Sequence, residues 1–118
     1  MRVSIIAISA AFSVLVMASC VANKGSFLLI NKAKEPIARA LVTVCGQTIE
    51  LRDIQPTQSA PGSYEVKLDS HYDVKIEFQS GKKLQKGVGY VTTGFDFQDE
   101  ITVTDTDIEI TDNKAKLQ

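Results

Sequence analysis

Along residues 72–78 the apolar side chains Tyr72, Val74, Ile76 and Phe78 alternate with Asp73, Lys75 and Glu77. A period of two sends successive side chains to opposite faces of an extended chain, so this segment predicts a strand with one buried and one wet face. After Lys24 no segment carries the spacing of about 3.6 residues that an amphipathic helix requires. A chain patterned in this way is directed to sheets.

The same signal recurs along the sequence. A short apolar run covers 26–30, then the polar stretch 31–36 interrupts it. In 38–45, Ala40, Val42 and Val44 share one side, while Leu41, Thr43 and Cys45 share the other. Both sides are nearly apolar, which predicts a central strand packed on two sides. Gly46 turns the chain, and Ile49 and Leu51 point inward in 47–51. Residues 52–62 hold two prolines, a glycine and several hydroxyl or amide side chains, the chemistry of a loop. Tyr64, Val66 and Leu68 then alternate with Glu65, Lys67 and Asp69.

Ser80 and Gly81 form a tight turn, and Leu84, Lys86, Val88 and Tyr90 mark the strand returning beside 72–78. Gly87 and Gly89 within it predict a bulge or a close neighbour. Ile101 with Val103, and Ile108 with Ile110, end the pattern as short strands. Turns every 8–12 residues or so predict an all-β fold, a small antiparallel β-sandwich of about seven strands. Residues 26–111 are its expected extent, and 112–118 read as a frayed tail. The chain has no tryptophan, so Phe27, Phe78, Phe95, Tyr64, Tyr72 and Tyr90 are the expected core mass.

Residues Ile54, Gln55, Pro56, Thr57, Gln58 and Ser59, followed by Tyr64, Glu65 and Val66, resemble the inter-strand turn of immunoglobulin-like and fibronectin-like extracellular modules. In those modules an apolar residue, a proline and a glycine precede a small polar pair and a strand. Thr57 stands where they usually carry glycine. The resemblance implies an immunoglobulin-like sandwich and nothing about activity.

Ahead of this domain, Arg2 precedes an apolar stretch from Val3 to Met17 that runs into Ala18, Ser19 and Cys20. A positive start, an apolar middle and small residues at the close are the parts of a secretory signal peptide. The stretch is shorter than the roughly 20 residues a spanning helix needs. Met17, Ala18, Ser19 and Cys20 resemble the lipobox of bacterial lipoproteins, with Met17 where leucine is preferred. The resemblance implies cleavage between Ser19 and Cys20, acylation of the Cys20 thiol and of the new amino terminus, and a membrane tether over 20–25. Residues 1–19 are then the signal peptide. Val21, in place of aspartate, implies transfer to an outer membrane, with the domain facing the periplasm. The competing reading is cleavage after Ala18, which leaves a soluble protein with a free thiol at Cys20.

If Cys20 is acylated, Cys45 has no internal partner, since the chain holds two cysteines. Its place at the end of an apolar run predicts a buried, inert thiol. A formal net charge of −1 disfavours a nucleic-acid partner. The single histidine, His71, has no neighbours in sequence from which a triad or a metal site could be built, and it reads as a surface residue at a strand start. No phosphate loop or nucleophile elbow occurs, and no cofactor is expected.

The one chemical constellation is acidic. Asp105, Asp107 and Glu109 alternate along an expected strand, with Asp96, Asp99, Glu100 and Asp112 nearby. Converging, such oxygen ligands would suit calcium or acid–base chemistry. Scattered, they are a solvated face. The leading expectation is a non-enzymatic, membrane-anchored lipoprotein that serves as a binding or accessory module of the cell envelope. Its protein partner would contact the acidic tail or the loops at 56–62 and 91–98. The alternative is a periplasmic ligand- or metal-binding protein, or a minor enzyme, that uses the acidic cluster.

Overall fold

The computed structural model describes residues 23–112. They form eight strands: β1 (Asn23–Asn31), β2 (Ile37–Val44), β3 (Gln47–Ile54), β4 (Ser59–Val66), β5 (Ser70–Phe78), β6 (Lys83–Val91), β7 (Phe97–Val103) and β8 (Ile108–Asp112). Two four-stranded sheets result, ordered β4-β1-β7-β8 and β3-β2-β5-β6. The fold is an all-β sandwich, as the alternation predicts. One pairing departs from the antiparallel expectation, because β1 lies parallel to β7. Consecutive antiparallel strands such as β2–β3, β5–β6 and β7–β8 are joined by short turns, whereas β1 and β7 come from opposite ends of the chain, so nothing in local spacing announces their pairing.

Several boundaries differ from the sequence reading. β1 begins at Asn23, so residues 23–25 belong to the sheet and not to a tether; Asn23 to Gly25 pair with Val66 to Tyr64. The expected loop over 52–62 shrinks to 55–58, because β3 runs to Ile54 and β4 starts at Ser59. Pro61 is tolerated there because β4 is an edge strand. Asp112 pairs with Asp99 and closes β8 instead of opening a frayed tail. The signal, cleavage and lipidation positions, Ser19 and Cys20 included, lie outside the described residues.

The interior is filled by the inward register of every strand. Leu29, Ile37, Val42, Tyr72, Val74, Phe78, Val91, Ile101, Val103 and Ile108 are almost wholly enclosed. Each such side chain contributes about 1.5–3 kcal/mol on leaving water. Phe27, Phe78, Tyr64 and Tyr72 are core residues as expected, and Phe95 is partly buried against them. Phe97 joins them, and Tyr90 does not.

Tyr90 is displaced by a bulge. The β5–β6 register shifts between Ser70 and Tyr72, which face Val91 and Val88 respectively. The extra residue in β6 rotates Tyr90 to solvent and puts Val91 in the core. Gly89, at φ 72, makes the left-handed kink, and a Cβ there would meet Ile110 Cδ1 at 2.6 Å and Tyr72 Cδ2 at 3.2 Å. Bulge and close neighbour therefore coincide at one glycine.

Two other glycines fit aromatic rings across strands. Gly25 pairs with Tyr64, and Gly62 pairs with Phe27. A Cβ on either would overlap the partner ring, so each ring lies over bare backbone.

The sheets are also tied by polar groups. Asn31 is fully buried at the end of β1. Its amide donates to Ile54 O at 2.9 Å and Glu35 O at 3.1 Å, and its oxygen accepts from Ala33 N at 2.9 Å. A residue that reads as the start of a polar loop is thus a satisfied joint between the sheets. At the opposite end the Gln47 amide acts as a short piece of strand. It donates to Glu65 O at 2.9 Å and accepts from Glu65 N at 3.1 Å, which covers part of the β4 edge.

Candidate functional site

Strand direction sorts the loops onto two ends. The first end, from which β1 starts, holds the Cys45-Gly46 turn and the segments 67–69 and 92–96. The far end holds 32–36, 55–58, 79–82 and 104–107. This division decides the fate of the acidic residues.

Asp105 and Asp107 fall in the turn between β7 and β8, not on a strand. Thr104 closes that turn: its Oγ1 accepts from Asp107 N at 3.0 Å, and its backbone N–H donates to Asp107 O at 2.9 Å. Asp105 Oδ1 accepts from Lys34 N at 2.8 Å, and its carbonyl accepts from Lys82 Nζ. Asp107 pairs with Lys86 at 3.0 Å, and this contact, with the Ile108 amide, holds its carboxyl below the usual range. Glu109 projects to solvent from β8. Asp96 sits at the other end, where Lys24 N at 2.8 Å and Asn23 Nδ2 at 3.1 Å lower its pKa. The carboxylates are dispersed, and among the described residues no group of three metal-ligating side chains assembles.

Asp99 behaves differently. It shares the inward register of Phe97, Ile101 and Val103 and is 5% exposed. Tyr72 Oη donates to Asp99 Oδ2 at 2.6 Å. With that proton committed, Tyr64 Oη donates to Tyr72 Oη, also at 2.6 Å. The rings meet edge to face, Tyr64 with Tyr72 at 5.7 Å and Phe27 with Tyr72 at 5.9 Å. Burial pushes the Tyr64 phenol up to about 12 and raises that of Tyr72 further. Both phenols stay protonated near pH 7 and act there as hydrogen-bond donors. Tyr72 belongs to one sheet, Tyr64 and Asp99 to the other, so the chain of hydrogen bonds is a clasp across the interior. The sequence carries a signal for it, since Asp99 breaks an otherwise apolar alternation.

Cys45 is buried and free, and its thiol donates to Leu68 O at 3.3 Å. It occupies a two-residue hairpin turn with φ 50, followed by Gly46 at φ 73, the pattern of a type I′ turn. His71 is exposed at the start of β5 and contacts Asp73 Oδ1 at 3.0 Å.

Among the described residues, open grooves lie on the surface. One of about 370 Å³ crosses the β2-β5-β6 surface between Arg39, Leu41, Lys75, Glu77, Lys83 and Gln85. Another of about 330 Å³ lies at the first end beside Lys24, Ser63, Asp96 and Gln98. In the second, Asp96 is held by Lys24 N and Asn23 Nδ2, and Ser26 Oγ donates to Phe97 O.

The most distinctive surface is the first end itself. Asn23 and Lys24 are bound to Asp96, and Thr93 N donates to Asp69 Oδ1 at 3.1 Å, so the start of β1, 92–96 and 67–69 are stitched together. On this platform stand Leu68, 49% exposed, and Tyr90, 65% exposed. Sequence alternation places both in the core. Leu68 lies past the end of β4, where register no longer governs direction, and Tyr90 is turned out by the bulge.

No family model matches the chain. No curated protein matches it significantly. Among solved structures it is similar to the NMR structure of a protein from Eubacterium rectale, with a TM-score of 0.55 and 18% identity. That likeness covers 81% of this chain and 94% of the other and speaks to the fold alone.

Proposed function

We propose that the chain is a non-enzymatic lipoprotein of the bacterial cell envelope, a rigid sandwich carried on acylated Cys20 that acts by binding a protein partner in the same membrane. The observation that carries this reading is the junction. The apolar run from Val3 to Met17 ends on Ala18, Ser19 and Cys20, and only Val21 and Ala22 separate that cysteine from the first strand residue, Asn23. Several acyl chains, at about 0.8 kcal/mol per buried methylene, would hold the domain on a bilayer durably. Confinement to two dimensions raises the effective concentration of the module toward any partner beside it, so modest contact surfaces suffice. Val21 after the cysteine supports an outer-membrane address facing the periplasm.

Intact mass of the mature protein from membranes tests this directly. The expected species begins at Cys20 and carries acyl mass; a species that begins at an unmodified Ser19 would falsify the anchor. Affinity purification from detergent-solubilised membranes tests the second half. A co-purifying envelope protein is expected, and repeated recovery of the chain alone would count against a binding role.

A further inference from the structure

Leu68 and Tyr90 are the large apolar side chains left exposed among the described residues, and both stand at the end of the sandwich where β1 begins. The far end has no counterpart; its loops are closed by Asn31, by Lys34 with Asp105, and by Ser80 with Glu35. Three residue steps separate Cys20 from Asn23, a reach of at most about 10 Å. A domain tethered so closely has little choice about which end meets the anchor.

We propose that this end docks on the lipid surface, with Leu68 and Tyr90 inserted at the headgroup boundary. The inference rests on the anchoring reading above and adds an orientation to it. Tyrosine suits the boundary because its ring is apolar and its hydroxyl wet. Lys24 and Lys67 flank the site, Lys67 with its ammonium 3.7 Å from exposed Glu65 Oε1, and both are long enough to turn toward lipid phosphates once the bilayer is near. The nearby carboxylates Asp69 and Asp96 accept from the backbone amides of Thr93 and Lys24, which fixes them in the platform with their charge in place. The stitched platform needs no rearrangement to present the pair. Docked in this way, the far end and both outer sheet faces remain open to a partner.

The absence of tryptophan makes the test clean. Mature lipidated protein bearing Leu68→Trp, Tyr90→Trp or, at the far end, Lys34→Trp is reconstituted in phosphatidylethanolamine–phosphatidylglycerol vesicles with brominated acyl chains. Insertion by about 5–10 Å predicts blue-shifted emission and roughly half of it quenched at positions 68 and 90, with neither effect at 34. Protein that floats with the vesicles but keeps unquenched emission at 68 and 90 overturns the docking and leaves the anchor intact. Blue shift without bromine quenching means that protein, such as a second copy, covers the end, and also overturns it. Failure to float with the vesicles removes anchor and docking together.

Discussion

Thr57 holds a backbone conformation that its side chain disfavours. At φ 72 it follows Pro56 in a turn closed by Gln58 N donating to Gln55 O at 3.0 Å. A proline and then a left-handed residue is the type II arrangement, which favours glycine at the second position. A β-branched side chain in this region costs about 1–2 kcal/mol, and glycine returns part of that as unfolded-state entropy. Thr57 is exposed and its side chain holds nothing in place. Thr57→Gly is therefore expected to stabilise by about 0.5–1 kcal/mol, a rise of a few degrees in Tm. Thermal unfolding followed by circular dichroism checks this, and a lower Tm would show that the threonine makes an unrecognised contact.

At the scale of the element, β6 shows how a single residue redirects a strand. Its alternation is regular from Leu84 to Val88, and the inserted residue then exchanges Tyr90 for Val91 in the core. Gly89→Ala would force an L side chain to φ 72 and drive its Cβ into Ile110 and Tyr72. A loss of about 2–3 kcal/mol is expected from strain and overpacking together. Denaturant unfolding should register it, with amide exchange fastest in β6 and β8, the strands the bulge touches. An unchanged midpoint would mean that the bulge relaxes freely. Gly87→Ala is the internal comparison: its Cβ would meet only the side chains of His71 and Asp73, at 3.2–3.3 Å on the surface, and it should cost far less.

For the whole molecule, the clasp of Tyr64, Tyr72 and Asp99 couples stability to alkaline pH. Both phenols have folded values above the ordinary 10, Tyr64 at about 12. Their contribution is intact below pH 10 and fades as pH rises through the folded values, since only the unfolded chain ionises in that window. Tyr72→Phe is expected to cost about 1–3 kcal/mol at neutral pH, by taking one hydrogen bond each from buried Tyr64 and Asp99, and to flatten the alkaline loss. At the acid end the sign reverses. Asp96 and Asp107 lie below the ordinary 3.8, so what they add is present above that value and lost as pH falls through their folded pKa. Urea midpoints from pH 2 to 12 test both limbs; a flat profile between pH 10 and 12 would show that the phenols ionise without unfolding.

Residue order alone determined that the chain forms sheets, because a period of two along 72–78 permits one buried face and no helix. It also settled most of the core, since inward parity names Tyr72, Val74, Ile76 and Phe78 without reference to any neighbour. The glycines of β6 announced an irregularity but not its outcome. Pairing of β1 with β7, burial of Asn31 and Asp99, and exposure of Leu68 and Tyr90 were decided only when distant segments met. Local alternation says which way a side chain points relative to its own strand. Whether something stands there to receive it depends on segments far away in sequence.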